Sequence, residues 1–261
     1  MLTDAHCHPF DLASEFPQAE EERRRMGVIA AASAAYTDEF AHNEELARRA
    51  ALDGAAPLLP CFAIHPQCAP MIMRDETSAD EQLEFLEKLA SEERIAAVGE
   101  TGFDLFNAQF RETEGVQDRL FAAHLEICLR HDLPVVLHVR RAMHKVFNAA
   151  KSLAKCRAVI FHSWQGTQDE GEALLRRGIN VYFSFGNVIM LNHKQAMRCC
   201  ALFPADRLLT ETDAPYQPRR GQSYSHWADL PLVIEAAAAL RQGVKELEKQ
   251  IEENFRRAFM L

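Results

Sequence analysis

The chain predicts an α/β fold: a single (β/α)₈ TIM barrel over residues 1–261, with one extra C-terminal helix. Three observations lead there. Its 261 residues are close to the roughly 250 of such a domain. Eight short apolar runs alternate with segments of helical period. Six residues able to ligate metal stand at the ends of five of those runs, the first and the eighth included. A closed barrel gathers strand C-termini at one mouth, where barrel active sites lie. A doubly wound open sheet is the runner-up, but it would spread the six residues over many strand widths.

The runs expected as strands are 2–6, 27–33, 57–64, 94–100, 133–139, 157–162, 179–185 and 207–213. Each has the length and aliphatic content of a strand buried on both faces. Glu39 to Leu52 sets Phe40, Leu46 and Ala50 among charges. Ser78 to Ser91 spaces Leu83, Leu86 and Leu89 helically, with Ser78 and Glu81 as a capping box. Thr113 to Arg130 carries a stripe of Val116, Leu120, Phe121, Leu125 and Leu129. Asp169 to Arg177 stops at Gly178, and Asn192 to Phe203 and Pro231 to Leu240 complete the alternation. Val244 to Met260, with Leu247, Ile251, Phe255 and Phe259, is the extra helix.

Composition narrows the function. A hydrophobic fraction of 48% supports a large core. No apolar run approaches the ~20 residues that cross a bilayer, and the start lacks the basic and apolar regions of a signal peptide. Seven cysteines without paired C-x₂-C spacing read as reduced thiols, so a cytoplasmic location is expected, with no membrane association. No motif for a protein partner stands out. The net charge of −9 argues against loose binding of duplex nucleic acid, though not against a nucleic-acid substrate held at a locally cationic mouth.

The chemistry resides in the run ends. His6 and His8 form an H-x-H, and strand alternation puts both imidazoles on one face, with Cys7 pointing away into packing. Glu100 ends the fourth run, where a carboxylate can bridge two cations about 3.5–4 Å apart. His138 and His162 end runs too apolar for a surface strand. Asp213 ends the eighth, placed to orient a water and take its proton. Asp104 and Glu211 suit supporting hydrogen bonds to the ligand imidazoles, Asp104 equally a local cap. His65 ends the third run and is expected to meet substrate. Arg140 shares the face of His138 and suits an oxyanion or phosphate. Arg219 and Arg220 are expected near the mouth as substrate contacts. His42, His124, His131, His144 and His193 fall in or beside helical patterns and read as surface or packing residues. G-x-S-x-G, the P-loop pattern and G-x-G-x-x-G are absent. The His/carboxylate donor set fits two divalent ions, with zinc, magnesium, manganese or nickel all compatible.

The combination of His6-Cys7-His8, Gly99-Glu100-Thr101-Gly102-Phe103-Asp104, the run Leu133 to Arg140 and the run Thr210 to Tyr216 resembles the TatD-related deoxyribonucleases of the amidohydrolase superfamily. The resemblance runs in order along essentially the whole chain. It implies that His6, His8, Glu100 and Asp213 hold one divalent ion, that Glu100, His138 and His162 hold a second, and that DNA phosphodiesters are hydrolysed. The pattern departs at His162-Ser163-Trp164-Gln165-Gly166, at Ile64-His65-Pro66-Gln67 and at Gly102-Phe103-Asp104-Leu105. After Gly221 a usual Asn-x-Pro is replaced by a stretch ending at Pro231. These departures fall at the mouth rather than on the ligands.

The expected activity is therefore divalent-metal-dependent hydrolysis, first of all a deoxyribonuclease cleaving phosphodiester bonds with metal-activated water. Asp213 would be the proton acceptor, with His65 and Arg140 facing developing negative charge. Hydrolysis of a carbonyl ester or amide, aminoacyl esters included, in the same two-metal site is one alternative. A non-catalytic metal-binding module is the other.

Overall fold

The computed structural model describes residues 1–241 and 246–261. Eight strands occur among them: β1 (Thr3–Cys7), β2 (Ile29–Ala32), β3 (Leu58–Phe62), β4 (Ala97–Asp104), β5 (Val135–Arg140), β6 (Val159–Phe161), β7 (Val181–Phe185) and β8 (Leu208–Thr210). Neighbours pair in parallel in chain order. The edges meet through hydrogen bonds beyond the ends of the ladder. Asp213 N donates to His6 O (2.9 Å), and His8 N donates to Ala214 O (2.7 Å). The buried Asp4 carboxylate accepts from Thr212 Oγ1 (2.6 Å) and Thr212 N (3.0 Å). The molecule is a (β/α)₈ barrel.

Alternate strand positions explain two apolar layers. Ala5, Ile29, Ala97, Val136, Ile160 and Leu209 form the interior layer, with Phe255 and Phe259 of the helix Leu247–Phe259 packed against it. Their neighbours Val135, Leu137, Val159, Phe161, Val181 and Phe183 face the surrounding helices, meeting Leu86, Leu125 and Leu174. The extra helix is present; its expected start at Val244 lies outside the described residues.

Two strands differ from the expected alternation in a way that matters. Between Asp4 and Cys7, β1 carries one residue more than β2, and between Val98 and Thr101, β4 carries one more than β5. Such a bulge shifts the phase of every side chain beyond it. The shift turns His6 and Glu100 inward although Ala5 and Ala97 already belong to the interior layer. It also extends β4 to Asp104, four residues past the expected end at Glu100. Gly102 makes the extension possible. Its φ is +133°, and a Cβ there would lie 2.2 Å from the backbone oxygen of His138. At the other extreme, β8 stops at Thr210, so Asp213 stands on irregular backbone.

The helices Thr37–Leu52, Ala79–Ser91, Glu114–Arg130, Gln168–Arg176, Lys194–Leu202 and Leu230–Leu240 fall where the periodicity placed them. Ser78 caps its helix by accepting from Glu81 N (3.2 Å). Pro9–Glu15 and Ala19–Met26, between β1 and β2, and Met143–Asn148, after β5, are helices the periodicity did not identify; they are too short for a stripe to show.

His124 of the helix Glu114–Arg130 is fully buried and ties it to the sheet. Its Nδ1–H donates to Leu120 O (2.6 Å), and Nε2 accepts from Ile64 N (3.0 Å). Burial, against that Leu120 bond, lowers its pKa to about 4. An unfolded chain would hold a proton there from about pH 6.5 downward while the folded one does not, so stability falls as pH drops from ~6.5 to ~4 and then levels. His124 contributes roughly 3 kcal/mol to that fall, about 1.4 kcal/mol per pH unit. Denaturant unfolding across this range should show the slope of stability against pH flattened by that amount in His124→Gln. An unchanged slope would contradict the assignment.

Candidate metal centre

Strand geometry delivers the side chains to one mouth. His6 lies in β1 and His8 one residue beyond it, at the start of the helix Pro9–Glu15. Glu100 and His138 sit within β4 and β5. His162 follows β6 directly, and Asp213 stands three residues past β8 with a left-handed φ of 54°.

All six residues converge, and Glu100 organises them. Its Oε2 lies 3.1 Å from His6 Nε2 and 3.8 Å from His8 Nε2. Its Oε1 lies 2.7 Å from both His138 Nδ1 and His162 Nε2, and 3.3 Å from His65 Nε2. Asp213 Oδ1 completes the first group, 3.6 Å from His6 Nε2 and 3.5 Å from His8 Nε2. Two donors each about 2.1 Å from a tetrahedral ion stand ~3.4 Å apart, so these spacings suit shared ions. Three groups have donor atoms close enough to hold an ion: His6 with His8 and Glu100, His6 with His162 and Asp213, and His65 with Glu100 and His138. The geometry thus brings His65, expected as a substrate contact, to the donors themselves.

Electrostatics points the same way. Burial alone would raise the Glu100 carboxyl, but the imidazoles of His162, His65 and His6 and the His138 hydrogen bond hold it well below the usual carboxylate range. Asp213 is lowered as well, its burial outweighed by the bond to His8 and by the neighbouring imidazoles. Two buried carboxylates among five imidazoles, with Arg140 the one Lys or Arg lining the cavity among the described residues, require positive charge at the centre. Protonated imidazoles would supply it while crowding like charges; a divalent cation supplies it with the imidazoles neutral. The donor set fits metal.

The supporting residues lie around this centre. Asp104 Oδ2 is 3.2 Å from His138 Nε2 and accepts from Gln67 Nε2 (2.8 Å). Burial, which would raise the Asp104 carboxyl, is overcome by these bonds and by Phe106 N, leaving it at about 2. Gln67, standing where the family pattern has a second histidine, therefore orients Asp104. Glu211 Oε1 lies 3.6 Å from His162 Nδ1 and accepts from Ser163 N (2.7 Å). Arg140 lines a cavity of about 670 Å³ above the centre. Arg219 and Arg220 do not line it among the described residues. Arg219 Nε is drawn to the buried Asp229 (2.7 Å), and Arg220 is exposed on the same loop.

Three partners escaped the sequence reading. Ser33 Oγ sits 3.1 Å from His6 Nδ1. Asp4 accepts from His6 N (3.2 Å) as well as from Thr212, and burial raises it to about 7 despite those bonds. Gln217 Nε2 donates to Asp213 Oδ2 (2.6 Å) and to Ser163 Oγ (2.9 Å), which fixes the rotation of the carboxylate so that Oδ1 faces the histidine pair. Ser33 ends the second apolar run and was open to discovery there. Gln217 sits in a loop with nothing in the sequence to mark it.

A barrel whose mouth holds a carboxylate between two sets of imidazoles is a metal-dependent hydrolase of the amidohydrolase type. Residues 3–260 match the model of the family described as TatD related DNase. A protein named 3'-5' ssDNA/RNA exonuclease TatD, from Dickeya dadantii (strain 3937), is 34% identical over 190 residues, covering 69% of this chain and 70% of that protein. Another of the same name, from Pantoea ananatis (strain LMG 20103), is 34% identical over 208 residues, 76% of each chain. The crystal structure of YJJV, a TatD homolog from Escherichia coli K12, superposes with a TM-score of 0.84 at 25% identity, over 100% of this chain and 98% of that one. The chain belongs to the TatD related DNase family.

Proposed function

We propose that this chain is a hydrolase of phosphodiester bonds in single-stranded DNA or RNA, and that residues 1–261 act as one catalytic domain. In this reading His6, His8, Glu100 and Asp213 hold one divalent ion, and Glu100, His138 and His162 hold a second beside His65. The observation that carries it is the division of the Glu100 carboxylate, with each oxygen facing its own set of imidazoles at the floor of a cavity large enough for a nucleotide. The names of the relatives supply the substrate class.

Two such ions, when bound, supply Lewis acidity and a nucleophile available near neutral pH. The chain's own residues do the rest. Arg140 offers a guanidinium fork to a substrate phosphate at the wall of the cavity, and His65 lies on the substrate side of Glu100. Asp213 takes the proton of the attacking water, its orientation set by Gln217 and its position by the backbone bond to His6 O. Asp104 holds the ring of His138 by a hydrogen bond, and the Glu211 carboxylate sets a negative charge beside that of His162. Zinc, magnesium, manganese and nickel all suit this mixed donor set. No helix among the described residues is long and apolar enough to cross a membrane. Seven buried, unpaired cysteines support a reducing compartment, and we place the protein in the cytoplasm.

Protein stripped with chelator and reloaded with Mg²⁺, Mn²⁺, Zn²⁺ or Ni²⁺ is expected to shorten a single-stranded oligonucleotide. It should also cleave bis(p-nitrophenyl) phosphate and lose both activities on renewed chelation. Turnover confined to carbonyl esters across all four metals would overturn the phosphodiesterase reading.

A further inference from the structure

Three arginines gather around Phe106, two over its exposed ring and one on its carbonyl, next to the cavity that Arg140 lines. The Arg140 guanidinium carbon lies 3.7 Å from the centroid of Phe106, and that of Arg141 lies 4.5 Å from it. Arg141 Nη1 donates to Phe106 O (3.2 Å). Arg111 Nη1 donates to Phe106 O (3.3 Å) and Leu105 O (3.4 Å). Among the described residues none of the three pairs with a carboxylate, whereas Arg23, Arg48, Arg94 and Arg219 all do. Each guanidinium has five N–H donors, so most remain unused by protein. Three adjacent cations without a counter-charge repel one another, which an arriving anion relieves.

Their position relative to the centre gives the patch meaning. Arg140 follows His138 by two residues on β5, about 6.6 Å further out at ~3.3 Å per residue, roughly one nucleotide step. The opposite wall of the same cavity carries Asp11 and Glu39. A polyanion entering the cavity is therefore repelled by the wall of the helices Pro9–Glu15 and Thr37–Leu52 and drawn over the β4–β5 rim.

We propose that Arg111, Arg140 and Arg141, braced on Phe106, form a second anion subsite that binds the phosphate of the nucleotide adjoining the scissile one. The proposal rests on the phosphodiesterase reading of the centre. Phe106 serves as the brace: its ring holds Arg140 and Arg141 by cation–π contact, and its carbonyl holds Arg111 and Arg141 beside them. The subsite favours an oligonucleotide, with a phosphate for each position, over a diester carrying a single phosphate.

The test uses the whole chain in two arms. In the first, a labelled single-stranded oligonucleotide is titrated in the presence of EDTA, and Kd is followed by anisotropy against salt. The double variant Arg111→Gln/Arg141→Gln should weaken binding about tenfold. It should also reduce the log–log salt slope by about 0.7, the loss of one single-strand phosphate contact. Arg141→Gln alone, at an exposed side chain, and Phe106→Ala should shift both quantities in the same direction. In the second arm, the metal-loaded double variant should lose about tenfold in the ratio of kcat/KM for a trinucleotide to that for bis(p-nitrophenyl) phosphate. An unchanged salt slope together with an unchanged ratio would overturn the subsite. If the wild-type protein cleaves neither substrate, the hydrolase reading falls, while the metal-free arm still decides whether the rim binds phosphate.

Discussion

Glu100→Ala is expected to abolish turnover to below about one part in 10³ and to lower bound metal, on the proposed two-ion reading from two ions per chain to one or none. The substitution removes the carboxylate whose Oε2 faces His6 and His8 and whose Oε1 faces His138, His162 and His65. Both groups of donors lose a shared member, and the imidazoles lose the buried charge that balances them. A factor of 10³ corresponds to about 4 kcal/mol of transition-state stabilisation, within what electrostatic centres supply. Elemental analysis of protein purified without chelator, set beside turnover, reads both effects. Unchanged stoichiometry would remove Glu100 from the centre whatever the activity did. Glu100→Gln, with nearly the same volume, separates a loss of charge from a loss of packing.

Asp213→Asn should cost on the order of 10²-fold or more in turnover, the range attributed to general-base catalysis, with a much smaller fall in metal content. The neighbourhood explains why the second quantity is spared. Gln217 donates to Asp213 Oδ2 and also contacts Ser163 Oγ, and a hydroxyl donates or accepts equally well. The Gln217 amide can rotate to accept from the new Asn N–H, keeping the remaining oxygen toward His6 and His8. The substitution therefore removes basicity and leaves one ligand oxygen in place. Near-normal turnover with both ions bound would mean that another group takes the proton.

Much of the architecture was legible because buried parallel strands are continuous apolar runs, and the eight runs correspond one to one with β1–β8. The convergence of the six side chains was legible for a related reason: a histidine or carboxylate at the end of such a run has few roles other than facing a mouth. What strict alternation could not show was the two bulges. They decide that His6 and Glu100 turn inward, and they depend on how β1 and β4 pair with their neighbours rather than on either strand alone. The same holds for His65. Its place at the end of an apolar run suggests a substrate contact, and its 3.3 Å approach to Glu100 Oε1 emerges only from the register of β3 against β4. Arg219 shows the opposite failure. A basic loop residue near the mouth invited a role with substrate, but buried Asp229, ten residues later, was not recognisable as its partner. The short helices after β1 and β5 escaped because a single turn or two carries no periodicity to read.

The seam between β1 and β8 has a consequence for the order in which the protein becomes itself. Asp213 is joined to His6 by a backbone hydrogen bond, and Thr212 to Asp4 by two more, across separations of more than 200 residues. More than 200 residues must therefore leave the ribosome before the last donor can reach the first. Until then the nascent chain holds His6, His8, Glu100, His138 and His162 without Asp213, the proton acceptor in the proposed mechanism. Loop-closure entropy grows only as the logarithm of length, so the late joining is thermodynamically mild, but it is slow compared with local helix formation. Emerging chains can thus carry most of the donors while the reactive arrangement waits for the final strand, which makes completion of the seam the moment at which a metal-binding polypeptide turns into a hydrolase.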